Sequence, residues 1–424
     1  MSRKPLSILI SGQGIAGSSL ALMLARHPSF SPKPNITLVE RSSTPRTTGQ
    51  AIDIRGPAIP VIRLLGLEEK IKQRHTSETG IAFVGANGEP FAQFDMTSNN
   101  KSPTSEFEIL RGELASLLLE EVEVAKETEG ANVHIVYGES IESLEESDDG
   151  VQVKFANGKL TTQKFDAVVA ADGMSSKTRS MIFGEDASQE SIKPMGQYIA
   201  FFTAPRVEGD TDIWRWYVAP GGIGIHIRPH RNKTTMGIYL TVTNSKRERM
   251  PELDEALLKG VPAQKAYMRA KFAGAGFQSE RALDAMDLAD DFYMQQTAQV
   301  RTPKWSKGRC VLVGDSAYCI MGMGTSLAMI GAYLVAGELS KVASSKQGDI
   351  AAALTRHEEI LRPLVSKHEK MPPGFPQMAS PQTRFGIGIL RTTMRVVTFV
   401  GFHRFAQLLG EGTDDEWKLP DYGW

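Results

Sequence analysis

The stretch LSILISGQGIAGSS, residues 6–19, gives the clearest indication of the fold. Its first half is a short apolar run typical of a buried parallel strand, and its second half is a glycine turn that opens a helix. The glycines follow the pattern Gly12-x-Gly14-x-x-Gly17, with Ala16 beside the last one. Missing side chains let the backbone approach a pyrophosphate, and the helix N-terminus offers free N–H groups. The stretch therefore predicts a dinucleotide site.

A second strand follows at NITLVER, residues 35–41, and brings Glu40 to its end. Glu40 lies 40 − 17 = 23 residues beyond the last glycine, close to the roughly 20 expected of a carboxylate that accepts ribose hydroxyls. Strand, helix, second strand and carboxylate together favour dinucleotide binding over a purely structural glycine turn.

Two later apolar strands also end on an aspartate. FDAVVAADG delivers Asp172, and GRCVLVGD delivers Gly314 and Asp315. An aspartate just past a strand can simply cap the following helix. Because the pattern occurs twice, in a chain that also carries the glycine fingerprint, we interpret both strand ends as parts of a nucleotide site.

Composition narrows the class of protein. The chain has 424 residues, a net charge of −1 and two cysteines. This charge gives no electrostatic case for nucleic acid binding, and the scarcity of cysteine fits a reducing compartment without disulfides. The N-terminus lacks the pattern of a signal peptide, and no uninterrupted apolar run of ~18 residues predicts a membrane span. We expect a cytoplasmic protein; its oligomeric state stays open.

The order of predicted elements indicates an α/β fold in two domains. A Rossmann-like domain is interrupted by an antiparallel sheet rich in β-branched and aromatic residues, and helices follow at the C-terminal end. The predicted boundaries are 1–75, 104–185 and 296–365 for the nucleotide domain, 76–103 and 186–295 for the sheet domain, and 366–424 for the helical tail. A pocket between two domains is a common place for catalysis.

The three motifs, in this order, resemble those of the class A flavoprotein monooxygenases, the p-hydroxybenzoate hydroxylase-like family with a GR2-type FAD-binding domain. The resemblance covers about residues 6–365. ERSSTPRTTGQAIDIRGPA and RFGIGILRTT look like a fungal secondary-metabolite branch, which also resembles tetracycline-inactivating enzymes. EILRGEL places Arg111 where the family has an arginine on the flavin side of the cofactor; the alternative is a solvated arginine at a helix start.

The resemblance implies which residues bind FAD. The glycine motif and glutamate hold the ADP half, the second motif serves FAD and a transient NADPH or NADH, and the third holds the ribityl and pyrophosphate part. The helix opening at GMGTS points N–H groups at the flavin pyrimidine edge. The implied FAD-binding set is Gly12, Gly14, Ala16, Gly17, Glu40, Arg41, Arg111, Asp172, Gly314, Asp315, Gly324, Thr325 and Ser326.

The activity implied by the resemblance is oxygen transfer. NAD(P)H reduces FAD, O₂ forms a C4a-hydroperoxyflavin, and one oxygen hydroxylates or epoxidises a mid-sized apolar or aromatic substrate of secondary metabolism. One departure stands out: the linker 318–321 after Asp315 lacks the family's proline and is shorter. The alternatives are therefore a dehydrogenation or a non-oxygenating cyclisation or rearrangement on the same fold, or a non-catalytic flavin or metabolite binder.

Substrate contacts are harder to assign than cofactor contacts. Trp216, His226 and Arg228 are candidates on the predicted sheet, and strand alternation puts the last two on one face. A solvated or hydrogen-bonded sheet histidine and core tryptophans are the alternatives. No catalytic side chain and no metal site is predicted. The basic amphipathic helix predicted at 389–409 either packs on the body, closes a pocket or touches a membrane surface.

Overall fold

The computed structural model describes residues 4–46, 48–95, 107–345, 348–400 and 417–424. The strands are β1 (Ser7–Ser11), β2 (Asn35–Glu40), β3 (Ala51–Asp53), β4 (Gly80–Val84), β5 (Pro90–Asp95), β6 (Glu108–Leu110), β7 (Asn132–Tyr137), β8 (Ile141–Ser147), β9 (Gly150–Phe155), β10 (Gln163–Phe165), β11 (Ala167–Ala170), β12 (Ile192–Pro205), β13 (Ile213–Ala219), β14 (Ile223–Pro229), β15 (Thr235–Thr243), β16 (Tyr293–Val300), β17 (Ser306–Lys307) and β18 (Cys310–Leu312). The helices are α1 (Ile15–Arg26), α2 (Ala58–Leu64), α3 (Glu68–Gln73), α4 (Arg111–Thr128), α5 (Lys177–Phe183), α6 (Glu185–Glu190), α7 (Pro251–Lys259), α8 (Val261–Phe272), α9 (Ser279–Leu288), α10 (Gly324–Ser344), α11 (Ile350–His368) and α12 (Arg384–Val400).

A six-stranded sheet in the order β17-β18-β11-β1-β2-β7 forms the nucleotide side of the molecule. All its pairs are parallel except the short β17–β18 pair at the edge. The strands are apolar, and α1, α4 and α10 pack beside them and bury them. Parallel strands end at a common edge, so the segments after β1, β2, β11 and β18 lie together. The α/β, Rossmann-like part of the predicted fold is confirmed.

A seven-stranded sheet in the order β16-β12-β15-β14-β13-β4-β5 forms the second layer. Its pairs are antiparallel, as predicted, except that β4 runs parallel to β13. One face is apolar and packs against α7, α8 and α9 through residues such as Tyr198, Ile225 and Leu240. Because side chains alternate along a strand, the other face carries a second set of residues, and this face meets the nucleotide side.

The C-terminal part of the chain contacts both layers. α11 packs on α10, and α12 packs over β5 and β13, where Val397 is buried against Ile81 and Phe94. The predicted helix 389–409 therefore begins earlier, at Arg384, and its residues beyond 400 lie outside the described part of the chain. Residues 417–424 return to α10, where Tyr422 Oη donates to Glu338 at 2.7 Å.

One helix in the described part of the chain, α10, is long and apolar enough to cross a membrane by length and composition alone. Most of it is buried inside the protein, and its first turn follows the third nucleotide motif. Core helices meet the same criterion, so α10 is the central helix of the nucleotide layer.

Candidate cofactor and substrate site

Two glycines of the loop between β1 and α1, Gly12 and Gly17, are packed too tightly to carry a side chain. Gly12 has φ +101°, and a Cβ there would lie 2.6 Å from the carbonyl oxygen of Ala171. A Cβ at Gly17 would lie 2.0 Å from the Gly12 carbonyl oxygen. These two glycines let α1 sit directly on the end of β1, beside β11.

Gly14 differs from its two neighbours because space opens beside it. A Cβ at Gly14 would have no atom within 4 Å, and no side chain caps the start of α1. The first N–H groups of α1 therefore face open space without a side-chain acceptor, which is the arrangement that binds an anion. The loop thus fits a pyrophosphate such as that of FAD.

Glu40 lies beside this loop at the end of β2. Its Oε2 accepts the N–H of Gln13 at 2.9 Å, and its Oε1 accepts the N–H of Ser42 at 2.8 Å. These bonds fix the carboxylate next to the open side of the glycine loop, where ribose hydroxyls would reach it. The predicted neighbour Arg41 is exposed.

Asp172, after β11, is occupied by the start of α5. Its carboxylate accepts the N–H of Thr178 at 3.1 Å and the Thr178 hydroxyl at 2.9 Å, as well as the Ser176 hydroxyl. This geometry matches the helix-capping alternative, and a direct contact of Asp172 with a nucleotide stays a prediction. The neighbouring Arg179 donates to the Ser316 carbonyl at 2.8 Å and so ties the second motif to the third.

Gly314 and Asp315 bring the third motif against α1. Gly314 has φ +70°, and a Cβ there would lie 2.9 Å from Cβ of Ala16. Asp315 Oδ1 lies 3.2 Å from the ideal Cβ position of Gly324, so the carboxylate adjoins the start of α10. Burial, together with the Asp315 carboxylate that bonds to it, holds the pKa of the Cys319 thiol well above its usual range. Cys319 is therefore a protonated partner of Asp315 and not a reactive thiolate.

The short proline-free loop 318–321 is held from both sides. Val300 donates its N–H to the Cys319 carbonyl at 3.1 Å, and Thr302 bonds through its hydroxyl to the Ala317 carbonyl at 2.9 Å. Tyr318 is buried, and its Oη lies against Gly331 of α10 with no hydrogen-bond partner among the described residues. The loop is thus a fixed part of the core.

The start of α10 completes the predicted cofactor edge. Within the residues that the structure describes, no side chain caps this helix, so its first N–H groups, at Gly324, Thr325 and Ser326, have no side-chain acceptor there. The Ser326 hydroxyl accepts the N–H of Arg55 at 2.9 Å, which brings the segment after β3 to this helix. A helix N-terminus with uncapped N–H groups fits a group that gains negative charge, as the pyrimidine edge of reduced flavin does.

Arg111 and Arg46 mark the junction between the two sheets. Arg111 starts α4, and its N–H bonds to the Gln50 carbonyl at 2.9 Å. The Arg46 guanidinium lies 4.4 Å from the ring centre of Tyr293 on β16. Gln50 also accepts a hydrogen bond from the Tyr293 hydroxyl. Sequence reasoning missed Arg46, Gln50 and Tyr293, because their partners lie on elements far away in the chain.

The face of the seven-stranded sheet that includes Tyr293 carries a continuous row of rings. Cross-strand neighbours are in ring contact one after another across six strands, with ring centres 4.7 to 6.3 Å apart and ring planes inclined by 18° to 63°. The row consists of Tyr293, Phe201, Tyr239, His226, Trp216 and Phe83. Two of the three predicted substrate residues, Trp216 and His226, are thus adjacent members of one aromatic surface.

His226 is neutral within this row. Its Nδ1 accepts the indole N–H of Trp214 at 3.2 Å, which leaves the proton on Nε2. Burial, followed by the charge of Arg228, lowers the pKa of His226 to about 3. The indole Nε1 of Trp216 is buried and has no hydrogen-bond partner in the described part of the chain.

Arg228 shares the face but is occupied by a buried pair of carboxylates. Its guanidinium bonds Glu78 through Nε at 2.9 Å and through NH2 at 3.0 Å, and it also bonds Glu108. Burial opposes the charge of Arg228, but Glu108 and Glu78 outweigh it and hold its pKa well above its usual range. Arg228 therefore ties the central strand β14 to the segment before β4 and to β6, and its predicted contact with substrate stays a prediction.

Comparison with known proteins agrees with this architecture. Residues 6–359 match the FAD binding domain family. FAD-dependent monooxygenase asL6 of Sarocladium schorii is 31% identical over 98% of this chain and 97% of its own length. The crystal structure of tetracycline destructase Tet(51) is 26% identical, covers 99% of this chain and 100% of its own, and superposes with a TM-score of 0.76. Klebsiella pneumoniae HpxO, complexed with FAD and uric acid, is 19% identical and shares the fold, with coverage of 94% and 95% and a TM-score of 0.68.

The chain belongs to the FAD binding domain family, within the class A flavoprotein monooxygenases. It is an FAD-dependent enzyme of the oxidoreductase class, like the fungal monooxygenases to which it is similar over nearly their whole length.

Proposed function

We propose that this enzyme uses NADPH or NADH and O₂ to hydroxylate or epoxidise a mid-sized apolar or aromatic molecule of secondary metabolism. The observation that carries the proposal is the aromatic row, whose Tyr293 end contacts Gln50 and through it adjoins Arg111. A continuous surface of six rings suits an apolar or aromatic substrate, which it would bind through burial and ring contacts. Similarity to named fungal monooxygenases supports the same reading.

In this proposal the cofactor supplies the redox chemistry, and the chain binds, orients and dries the site. The residues assigned to FAD are the three glycines of the loop with Ala16, the Glu40–Arg41 pair, Arg111, Asp172, Gly314 and Asp315, and the start of α10 at Gly324, Thr325 and Ser326. The uncapped helix starts accept negative charge, and the aromatic row excludes water from the reacting face.

Neutral His226 and the unpaired indole of Trp216 supply the polar groups of the pocket. Nε2–H of His226 and Nε1–H of Trp216 are donors, so they orient a substrate that carries an oxygen acceptor. Their neutral state holds from about pH 4 upward, since the His226 pKa lies near 3. Arg228 acts through the ion pairs that position β14.

We assign residues to these tasks along the chain as follows. Residues 1–75, 104–185 and 296–365 hold the cofactor, and residues 76–103 and 186–295 carry the substrate surface. Residues 366–424 form the C-terminal tail, of which the described parts 366–400 and 417–424 pack on these two regions. We also propose that the enzyme works in the cytoplasm, which the scarcity of cysteine supports.

A second candidate is a dehydrogenation, cyclisation or rearrangement in which the pocket shapes the substrate without oxygen transfer. The short, buried, proline-free loop 318–321 favours it, because this loop follows Asp315 at the predicted reactive side of the cofactor. Both candidates use the same FAD site, so they differ in whether NADPH is consumed and whether oxygen enters the product.

The test is to incubate the purified enzyme with NADPH, ¹⁸O₂ and a panel of phenols and fused-ring aromatics, and to follow NADPH oxidation together with the mass of the product. The proposal predicts a product heavier by one ¹⁸O atom, formed in proportion to NADPH consumed. Product without ¹⁸O and without NADPH consumption would contradict it and establish the second candidate.

A further inference from the structure

The outer face of α12 carries a row of exposed apolar side chains, here called the α12 stripe: Phe385, Ile389, Val396 and Phe399. Successive members are four, seven and three residues apart, so they share one side of the helix. Phe385 is 80% exposed and Phe399 is 93% exposed, while Ile389 and Val396 are 54% and 55% exposed. Two nearly fully exposed phenylalanines on one face are unusual for a surface that meets only water.

The inner face of α12 is also apolar, and it is already satisfied. Val397 is 2% exposed and packs with Met394 into the cluster formed by Ile81, Phe94 and the two tryptophans of β13. Most surface helices present one apolar face to the core and a polar face to water. Because α12 has two apolar faces, its outer face indicates a second apolar surrounding.

The charge of α12 identifies that surrounding. The helix contains Arg384, Arg391 and Arg395 and no aspartate or glutamate. Arg384 and Arg395 are exposed and stand eleven residues, about three turns, apart, so both lie on the same flank of the stripe. Arg391 lies over the ring of Phe91 and belongs to the inner side. A second copy of this helix would bring like charges together, whereas an anionic surface would attract them.

We propose that the α12 stripe docks on the surface of an anionic lipid bilayer. The helix lies in the plane of the interface, its phenylalanines enter the boundary between headgroups and acyl chains, and its exposed arginines contact acidic headgroups. The inner face of the same helix packs on Trp214 and Trp216. Docking therefore brings one end of the aromatic row next to the lipid, where an apolar molecule would be dissolved. The surface is distinct from the FAD site and does not depend on the reaction.

The test is co-sedimentation of the full-length, FAD-loaded enzyme with phosphatidylcholine vesicles that contain one third phosphatidylserine, compared with pure phosphatidylcholine. The test variant is Phe385→Ser/Phe399→Ser. The matched control is Leu258→Ser/Leu288→Ser, which removes two side chains that are 89% and 84% exposed on α7 and α9. All proteins must first show the same bound flavin and the same melting temperature as the unaltered enzyme.

We expect the unaltered enzyme and the control to bind the mixed vesicles. The test variant should bind at least roughly tenfold more weakly, because it lacks the two aromatic side chains that enter the bilayer. Arg384→Gln/Arg395→Gln should weaken binding to mixed vesicles several-fold and leave any binding to pure phosphatidylcholine unchanged. Equal binding of the test variant and the control would overturn the proposal, as would absence of the unaltered enzyme from the vesicle pellet. A dimer in analytical ultracentrifugation that only the test variant dissolves would assign the stripe to a second copy instead.

Discussion

Arg228 and Glu78 form a double hydrogen bond inside the protein, with Nε 2.9 Å from Oε2 and NH2 3.0 Å from Oε1. Glu78 lies in the segment before β4, and Arg228 lies on β14, so the pair joins two parts of the chain 150 residues apart. Glu108 shares the guanidinium. Two carboxylates and one guanidinium leave an excess negative charge in a buried place, and this has consequences for pH dependence.

The first prediction concerns the stability of the protein as pH changes. Burial raises the pKa of Glu78 from 4.5 to about 7, with Arg228 opposing and Glu108 adding to the rise. Between these pH values the folded state keeps a proton that the unfolded state has lost. The free energy of unfolding should therefore fall as pH rises from about 4.5 to about 7 and level off above, by roughly 3 kcal/mol at most.

Glu78→Gln should remove that part of the pH dependence, since the amide does not titrate. Urea unfolding at several pH values measures it, with Glu89→Gln, at an exposed position, as the control. If Glu78→Gln and the unaltered enzyme show parallel pH profiles, the excess charge is not carried by Glu78.

The second prediction concerns Arg228 itself. Arg228→Ala leaves Glu78 and Glu108 buried without their partner, and should lower the free energy of unfolding by about 3–5 kcal/mol. Arg228→Lys should lower the free energy of unfolding by less than Arg228→Ala does, but it should not retain the full stability. The lysine ammonium group cannot make the bidentate hydrogen bond to Glu78. Arg231→Ala, on the exposed turn after β14, is the control and should change stability little. A cost for Arg228→Ala no larger than that for Arg231→Ala would mean that the pair is solvated.

The third prediction separates two glycines of the cofactor loop. Gly14→Ala places its methyl group in open space at a backbone φ of −72°, so the protein should fold normally. It should nevertheless bind FAD at least roughly tenfold more weakly, because the methyl group takes the place of the pyrophosphate. Gly17→Ala would push α1 away from the Gly12 carbonyl and should reduce folding itself. Flavin titration measures the FAD affinity of both variants, and thermal melting measures their stability. Unchanged FAD affinity in Gly14→Ala would show that the pyrophosphate does not bind beside Gly14.

The fourth prediction concerns the return of the chain to α10. Tyr422 Oη donates to the buried Glu338, and Lys341 lies 4.6 Å from the Tyr422 ring centre. A Cβ at Gly337 would lie 2.3 Å from the same ring. Tyr422→Phe should cost about 1–3 kcal/mol, because the Glu338 carboxylate loses one of its two donors and keeps only Lys341. Gly337→Ala should displace residues 417–424 and cost at least as much. Thermal melting measures both, and a neutral Gly337→Ala would show that Tyr422 is not packed there.

The sequence was sufficient to predict features that depend on local pattern. The glycine turn, Glu40 at the end of β2 and Asp315 after β18 follow from short motifs whose geometry is set within the β-α-β unit. The partners of Arg228 were not predictable, since Glu78 and Glu108 reach it only when two sheets pack together. The aromatic row was equally hidden, because its members come from six strands whose order across the sheet is not their order in the chain.

Asp172 shows why even a correct motif leaves a role open. The strand places its carboxylate at the predicted edge, but Ser176 and Thr178 lie within hydrogen-bonding reach and occupy it. Capping and cofactor binding require the same residue type at the same place. Only the positions of the neighbouring hydroxyls distinguish between them.

The most direct test of FAD binding and of the NADPH- and O₂-dependent reaction is the visible spectrum of the purified enzyme after incubation with FAD. The spectrum is recorded without oxygen as NADPH is added together with each aromatic of the substrate panel, and again after air is admitted. We expect a bound, oxidised flavin spectrum that bleaches under NADPH and returns with oxygen. Asp315→Ala should lose the bound flavin. Absence of bound flavin in the unaltered enzyme would contradict the cofactor site, and bound flavin that stays oxidised with every substrate would contradict the NADPH- and O₂-dependent reaction.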